Sequence, residues 1–209
     1  MTFKYPDAVL LVFAKAPVAG TVNTRLIPDI GVEAATELQS ELVHSRLSAL
    51  KASKLCEVQL WCAPDCEHDF FQRCKNSYEV TLHQQQGADL GERMAQAIKA
   101  NLKKFKRVVL IGTDAPSLST EQIESALKKL GEANDIVIVP AEDGGYVLIG
   151  MSRPCDAVFQ SVPWGSDKVL TATHENIRQN NLTSAELEPC WDIDRVEDYW
   201  RYKKSFSPD

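Results

Sequence analysis

A loop near the amino terminus carries the first residues whose types and spacing suggest chemistry. Lys15 and Arg25 flank it, Gly20 and Thr24 lie between them, and an apolar run at positions 8–12 precedes it. Such a run is typical of a buried strand, and ligands of open α/β sheets bind at the carboxyl ends of strands. A guanidinium grips phosphate oxygens through a fork of donors, and an ammonium acts as a point charge. The loop therefore suits a polyphosphate, although it matches neither standard glycine-rich phosphate motif and could equally be a solvated surface loop.

Three carboxylates, one after a predicted strand and two before the last predicted helix, could hold a divalent cation. Asp114 follows the apolar run 108–111 through Gly-Thr, and one carboxylate is enough there for a Mg²⁺ that phosphates and water also ligate. Asp192 and Asp194 alternate before the last predicted helix, and in an extended segment both would point the same way. Either could be a second metal ligand. Alternatively, Asp114 caps the loop before the next helix and Asp194 caps the last helix, and neither role needs a metal.

A glycine-flanked carboxylate marks the start of the third predicted helix. Asp89 lies between Gly87 and Gly91, and Arg93 falls in the first turns of that helix. The glycines would let the backbone approach a ligand closely. An N-cap role for Asp89, which needs no ligand, is the alternative interpretation.

A double glycine follows another carboxylate. Asp143 precedes Gly144 and Gly145, and Tyr146 begins an apolar, strand-like run. The glycines make room for a bulky group such as a sugar or an acceptor, whose hydroxyls Asp143 could bind. The alternative is a tight turn, because Asp-Gly is a standard turn dipeptide.

The elements that must position these residues alternate between strand-like and helix-like segments. Strands are predicted at 8–14, 56–62, 78–83, 107–111, 135–140 and 146–151, and helices at 32–50, 68–75, 90–105, 119–131, 167–180 and 196–202. Repeated strand–helix units imply a mainly parallel sheet with helices on both faces. The last two strands have no full helix between them, which predicts a departure from a purely doubly wound order.

Composition and charge limit the class of protein. The 209 residues, 44% hydrophobic and 25% charged, are expected to form one domain over 1–209. The net charge of -6 disfavours a general nucleic-acid binder, although a local basic pocket for a small anion is compatible with it. No apolar run is long enough to span a bilayer, and the amino-terminal segment lacks a signal-peptide pattern. We therefore expect a soluble, cytoplasmic protein whose cysteines are reduced.

The order of these features resembles the GT-A fold, the nucleotide-diphospho-sugar transferase architecture shared by glycosyltransferases and nucleotidyltransferases. More closely, the chain resembles the radical-SAM/selenodomain-associated transferase 1 family of glycosyltransferase-like proteins. The motifs that carry the resemblance are Lys15-Ala-Pro17, Gly20, Thr24-Arg25-Leu26, Asp89-Leu-Gly-Glu-Arg-Met94, Gly112-Thr-Asp-Ala-Pro116, Asp143-Gly-Gly-Tyr-Val-Leu-Ile-Gly150, Trp164, Ser166 and Asp192-Ile-Asp194. The resemblance implies a three-layer α/β/α domain with a mainly parallel, mixed sheet.

The resemblance also implies a metal-dependent glycosyltransferase that takes a nucleotide-sugar donor and an acceptor of unknown identity. Nucleotide and phosphate binding would fall to Lys15, Gly20, Thr24, Arg25, Asp89 and Arg93. Mg²⁺ or Mn²⁺ would be held by Asp114, Asp192 and Asp194. Asp143 would contact the sugar or act as the general base, and the substrate pocket would comprise Gly144, Gly145, Tyr146, Trp164 and Ser166.

Two positions depart from the family pattern. Asn23 stands where the family usually has Lys, so the first loop has one cation fewer, and Gly165 is inserted between Trp164 and Ser166. A nucleotidyltransferase that releases pyrophosphate from a nucleoside triphosphate could use the same residues, and a non-catalytic nucleotide-binding protein is a third interpretation. The base, the sugar, the stereochemical outcome and any homo-oligomeric assembly stay open.

Overall fold

The computed structural model describes residues 2–206, along which strands and helices alternate. The strands are β1 (Ala8–Lys15), β2 (Glu57–Ala63), β3 (Thr81–Gln84), β4 (Arg107–Ile111), β5 (Ile136–Pro140), β6 (Tyr146–Met151) and β7 (Ser184–Glu186). The helices are α1 (Ile27–Ser53), α2 (Asp69–Tyr78), α3 (Leu90–Asn101), α4 (Thr120–Gly131), α5 (Val169–Gln179) and α6 (Val196–Phe206), and a short 3₁₀ helix covers Asp156–Phe159.

The described strands form one seven-stranded sheet in the order β3-β2-β1-β4-β6-β5-β7. β1 lies parallel to β2 and β4, and β5 lies parallel to β7. β6 is antiparallel to both of its neighbours, β4 and β5. The α/β class and the mainly parallel, mixed sheet predicted from the sequence are confirmed, and so is the departure from a doubly wound order at β5 and β6.

Both faces of the sheet are covered by helices, which is why β1 is buried along almost its whole length. Leu10 and Val12 join the apolar cluster under α1, α2 and α4, whereas Val9 and Leu11 join the cluster under α3 and α5. Burial on both faces explains the unbroken apolar run of this strand. Lys15, the last residue of β1, is the first one exposed. Within the described residues, no helix is long and apolar enough to cross a membrane.

The strand order creates a crevice at one edge of the sheet. The chain after β1 leads to β2 on one side of it, whereas the chain after β4 leads to β5 on the other side. The two segments that follow β1 and β4 therefore diverge. In open α/β sheets, such a switch point is where ligands bind, at the carboxyl ends of the strands. Because β6 is antiparallel, it begins at this same edge with Tyr146. The segment after β7 returns there as well, through a parallel bridge between Ala141 and Cys190.

A few element bounds differ from the sequence predictions. α1 begins at Ile27, but Gly31 at φ 82° interrupts it, so the regular helix does start after that glycine. α3 ends at Asn101, because the apolar spacing that continues through Leu102 and Phe105 belongs to a turn packed on the core. β7 was not predicted, since its three residues at the sheet edge carry no apolar alternation.

Candidate active site

A cavity of about 430 Å³ opens at the carboxyl ends of β1 and β4. Its wall is built from the loops after these two strands, the start of β6 and the turn before α5. Many of the residues singled out in the sequence line it together: Lys15, Arg25, Asp114, Asp143, Gly145, Tyr146, Trp164 and Ser166. The topology therefore collects cations, carboxylates and aromatic rings from distant parts of the chain into one crevice.

Asp114 lines this cavity just beyond β4. Its carboxylate lies against Gly112, where a Cβ atom would meet Asp114 Oδ1 at 2.6 Å, so any larger residue at this position would displace the carboxylate. The side chain has surface exposed to the cavity, yet it lies deep among protein atoms, and this desolvation raises its pKa. The carboxylates of Asp143 and Asp194 raise the pKa further, whereas the Arg46 guanidinium opposes them.

Hydrogen bonds hold the Asp-Ile-Asp segment 192–194 beside Asp114. The N–H of Ile193 donates to the carbonyl oxygen of Asp114 at 2.8 Å. Ser117 Oγ donates to the carbonyl oxygen of Trp191 at 2.6 Å and accepts from the N–H of the same residue at 2.9 Å. The two predicted acid sites are therefore brought together by hydrogen bonds between the loop after β4 and the segment before α6.

A second cavity, of about 410 Å³, adjoins the first and shares Arg25, Asp143, Gly165 and Ser166 with it. Its charged lining is mainly acidic and comprises Glu142, Asp143, Asp167, Asp192, Asp194 and Asp198, beside Arg25 and Arg195. Burial, and then the carboxylates of Asp114 and Asp143, raise the pKa of Asp192 to about 7. The acids at this border are therefore close enough to repel one another.

Asp194 is engaged by two cations. Arg25 Nη1 lies 2.5 Å from its Oδ1, and Arg195 Nε lies 3.3 Å from its Oδ2. Across residues 2–206, no group of three or more His, Cys, Asp and Glu side chains is arranged to hold a metal ion. In the described part of the chain, the predicted trio of Asp114, Asp192 and Asp194 is thus not a preformed cage, and arginines pair with its third member.

Two amide side chains brace the ends of the central strands. Gln39 Nε2 of α1 donates to the carbonyl oxygen of Lys15 at 3.1 Å. Gln85 Nε2 donates to the carbonyl oxygens of Trp61 at 2.8 Å and Ala14 at 3.4 Å. Both glutamines line the first cavity. They fix the backbone from which the lysine side chain projects.

Aromatic rings form one wall of the first cavity. The ring centroids of Tyr146 and Trp164 lie 6.3 Å apart, and the rings are nearly perpendicular. The indole lies over Gly91, where a Cβ atom would meet Trp164 Nε1 at 2.7 Å. The neighbouring carboxylate of Asp143 is oriented by a backbone hydrogen bond, because its Oδ1 accepts from the Gly145 N–H at 2.9 Å.

Other predicted site residues, all in the described part of the chain, line neither cavity: Gly20, Thr24, Asp89, Arg93 and Gly144. Asp89 caps α3 instead, since its Oδ1 accepts from a first-turn backbone N–H at 2.8 Å. Arg93 Nε donates to the carbonyl oxygen of Gly87 and braces the preceding loop. Gly144, at φ +92°, packs closely against the backbone of Asp167. Local structure therefore accounts for these three residues without a ligand.

Asn23, where the resemblance drawn from the sequence implies Lys, has a local structural role. Its φ of 48° lies in the left-handed region, which asparagine adopts more readily than most residues. Its side-chain amide donates to the carbonyl oxygen of Ala35 at 2.9 Å and ties the β1–α1 loop to α1. The residue also lines the first cavity.

Arg46 lies near the site and was missed by the sequence reasoning. It projects from α1 and is 7% exposed. Its Nη1 and Nη2 donate to the carbonyl oxygens of Leu118 and Ala115 at 2.7 and 2.6 Å, in the turn that follows Asp114. A signal was present, because Arg46 falls on the apolar stripe of α1, four residues after Leu42. A charged residue on such a stripe is unusual.

Solved structures share this fold. The chain is similar to a "putative nucleotide-diphospho-sugar transferase" from Desulfovibrio desulfuricans G20, with 33% identity and a TM-score of 0.85 over 97% of this chain and 90% of that chain. A cytidylyltransferase from Leptospira borgpetersenii has 15% identity and a TM-score of 0.63 over 97% of this chain and 87% of that chain. A 4-diphosphocytidyl-2C-methyl-D-erythritol synthase from Anaerococcus prevotii has 11% identity and a TM-score of 0.63 over 97% and 99%. The last two likenesses concern the fold alone.

No curated protein matches the chain by sequence. The model of a family described as "Uncharacterized protein conserved in bacteria (DUF2064)" matches residues 46–166, which is more than half of the chain. The matched segment contains Asp114, Asp143 and Trp164 of the first cavity. With this match, and with 33% identity to the Desulfovibrio protein over nearly the whole chain, the chain belongs to the DUF2064 family.

Proposed function

We propose that this chain is a metal-dependent transferase that takes a nucleotide-diphospho-sugar donor and moves its sugar to an acceptor. The observation that carries the proposal is one crevice in which Lys15 and Arg25 lie beside Asp114, at the ends of two neighbouring strands. Such a donor needs cations for its diphosphate and a carboxylate for its metal. The description of the similar Desulfovibrio protein supports the same class of activity.

The carboxylates of the crevice fit a hard divalent cation such as Mg²⁺ or Mn²⁺. These ions prefer oxygen ligands, and one or two protein carboxylates suffice when phosphates and water supply the rest. Asp114 raises the pKa of Asp192, and neither carboxylate forms an ion pair with any residue that the structure describes. We assign the metal to these two residues because Asp194, unlike them, is paired with arginines. A bound ion would neutralise the charge that develops on the departing diphosphate.

Lys15 and Arg25 bind the diphosphate in this proposal. Lys15 projects from a backbone that Gln39 and Gln85 secure at the end of β1. Arg25 reaches the crevice from the β1–α1 loop and exchanges the carboxylate of Asp194 for a phosphate oxygen. An exposed ion pair contributes at most about 1 kcal/mol, which is less than the about 1.5–3 kcal/mol of a hydrogen bond to a charged group, so the exchange favours binding of the diphosphate.

Asp143 is the residue that we assign to the acceptor or to the transferred sugar. It lies at the border of the two cavities and can therefore face a donor in one and an acceptor in the other. One of its oxygens is anchored by the Gly145 N–H, which leaves the other free for substrate. There it can take the proton of an acceptor hydroxyl while the acceptor oxygen bonds to the sugar and the bond to the diphosphate breaks.

Tyr146, Trp164 and Ser166 complete the pocket in this proposal. The perpendicular rings give the first cavity an apolar wall against which a sugar or base can pack. We also propose that the chain is a member of the radical-SAM/selenodomain-associated transferase 1 family, which its motifs resemble. Residues that line neither cavity, such as Asp89 and Arg93, are not assigned to the ligand.

The experiment incubates the protein with ADP-, CDP-, GDP-, UDP- and dTDP-sugars in the presence of Mn²⁺ and identifies the products by mass spectrometry. We expect one donor class to release its nucleoside diphosphate, with water as a slow acceptor. Asp114→Asn should abolish the release while the protein stays folded. Release of pyrophosphate from a nucleoside triphosphate, without turnover of any nucleotide sugar, would instead identify a nucleotidyltransferase. Turnover of neither substrate would refute both activities.

Asp156→Asn is a matched control for the loss of one negative charge. Asp156 pairs with Lys99 at 2.6 Å and, among the described residues, lines neither cavity. We expect this variant to retain wild-type turnover. Equal loss in both variants would mean that net charge, rather than Asp114, governs the reaction.

A further inference from the structure

A buried arginine lies behind Asp114 and has no part in the chemistry proposed above. Arg46 is 7% exposed, and in the described part of the chain no carboxylate forms an ion pair with it. Its Nε is buried without a hydrogen-bond partner. Because a buried charge without a paired carboxylate is costly, the residue is expected to have a role that outweighs this cost.

Both hydrogen bonds of the Arg46 guanidinium go to one turn, residues 115–118. Nη1 donates to the carbonyl oxygen of Leu118 at 2.7 Å, and Nη2 donates to that of Ala115 at 2.6 Å. The N–H of Leu118 also donates to the carbonyl oxygen of Ala115 at 3.1 Å, so the turn is closed on itself as well as onto α1. The turn starts at the residue after Asp114 and therefore fixes the backbone from which that carboxylate projects.

The same turn secures the second acid segment. Both the N–H and the carbonyl oxygen of Trp191 bond to Ser117 Oγ, in the middle of the turn. The N–H of Ile193 bonds to the carbonyl oxygen of Asp114 at 2.8 Å. Asp192 lies between these two anchors. The turn thus locates both acids relative to one another.

We infer that Arg46 is a positioning residue that sets the place of Asp114 relative to Asp192 through the turn 115–118. The inference rests on the proposed function, because a shared metal and diphosphate give that relative placement its purpose. The guanidinium of Arg46 and the carboxylate of Asp114 also attract one another electrostatically. Removing an outer partner of a metal ligand typically lowers metal affinity by about 10–100-fold.

The test compares Arg46→Met, Arg46→Lys and Arg107→Met in the full chain. Arg107 is a matched control, because its Nη1 donates to the carbonyl oxygen of Leu127 at 3.1 Å and it pairs with Asp7, at the opposite edge of the sheet. Calorimetry measures binding of whichever of ADP, CDP, GDP, UDP and dTDP stabilises the wild type most, with and without Mn²⁺.

We expect Arg46→Met to weaken the Mn²⁺-dependent binding by about 10–100-fold and to leave the Mn²⁺-free binding little changed. Arg46→Lys should restore part of the loss, and Arg107→Met should bind as the wild type does. Wild-type affinity in a folded Arg46→Met, or an equal loss in Arg107→Met, overturns the inference. If Arg46→Met does not fold, Ser117→Ala cuts the same connection from its other end and should show the same selective loss.

Amide hydrogen exchange separates this inference from the proposed function. With no nucleotide or metal added, the N–H of Ile193 should exchange faster in Arg46→Met than in the wild type or in Arg107→Met, because its acceptor is the carbonyl oxygen of Asp114. Unchanged exchange overturns the positioning role even if nucleotides bind. Faster exchange in a protein that binds none of the nucleotides supports the positioning role and refutes the proposed function.

Discussion

Arg25 and Asp194, which are 169 residues apart in the sequence, form an ion pair of 2.5 Å at the border between the two cavities. The sequence assigned one of them to phosphate and the other to a metal. In the structure they neutralise each other. The arginine side chain is 52% exposed, so it can turn towards a phosphate without passing through an apolar environment.

Arg25→Met should therefore weaken nucleoside diphosphate binding by about 10–100-fold, since a hydrogen bond to a charged group contributes about 1.5–3 kcal/mol. The melting temperature should hardly change, because an exposed ion pair contributes at most about 1 kcal/mol. Calorimetric titration measures the affinity, with Arg178→Met as the control. Arg178 pairs with Glu175 and, among the described residues, lines neither cavity. Equal affinities of wild type and Arg25→Met would contradict the phosphate role.

The pH dependence of stability in metal-free protein should carry the signature of Asp192. Its pKa is raised from 3.8 to about 7, so between these values the folded protein holds a proton that the unfolded chain has released. The free energy of unfolding from this group therefore rises as pH falls from about 7 towards 3.8. Asp192→Asn should be more stable than the wild type at pH 8 and should lack this part of the pH dependence. Parallel stability profiles of the two proteins would show that Asp192 titrates normally.

Gly144→Ala and Gly20→Ala should differ in their effect on stability. Both glycines have positive φ, 92° and 78°, and a left-handed residue other than glycine costs roughly 1–2 kcal/mol. A Cβ at Gly20 meets nothing within 4 Å, whereas one at Gly144 collides with the backbone of Asp167. Overpacking should add about 1–3 kcal/mol to the loss in Gly144→Ala. Urea denaturation measures both losses, and equal values would rule out the close packing at Gly144.

Alkylation of the cysteines should follow their environments. Burial raises the pKa of the Cys56 thiol to about 12 and of the Cys74 thiol to about 11, and it also raises the pKa of Cys62. The thiolate is the reactive form, so these three should react slowly with iodoacetamide in the folded protein. Cys66 and Cys155 are partly exposed and should react first. Peptide mapping by mass spectrometry measures the order, and early labelling of Cys62 would contradict the packing of β2.

The central part of the fold could be predicted because its signals are local. β4 and β6 have the predicted bounds, since each is an apolar run that begins or ends beside glycine or a charged residue. The start of α4 is a local signal of the same kind, because Ser119 and Gln122 form a capping box in which both hydrogen bonds are present. Strand ends define the edge at which ligands bind, so the sequence places Lys15 and Asp114 at the same edge of the sheet.

Other features depend on contacts that no short segment encodes. β7 exists because its three residues pair with β5, and the pairing of Arg25 with Asp194 joins opposite ends of the chain. The position of Arg46 on the apolar stripe of α1 marks it as unusual, but only the packing of α1 on the turn after β4 shows what its guanidinium binds. Asp89 and Arg93 lie in a glycine-flanked motif that suggests a ligand site, yet their side chains form hydrogen bonds with the backbone around the start of α3.

The most direct test of the central claim is a thermal-shift comparison of wild type and Asp114→Asn with nucleoside diphosphates and nucleotide sugars, each with and without Mn²⁺. A ligand at ~100 times its dissociation constant adds about 2.7 kcal/mol, or roughly 5–11 °C for a chain of this size. The account predicts a Mn²⁺-dependent shift of that size for one diphosphate and its sugars in the wild type, and no effect of Mn²⁺ in folded Asp114→Asn. The same Mn²⁺-dependent shift in both proteins, or no shift with any nucleotide in the wild type, would contradict it.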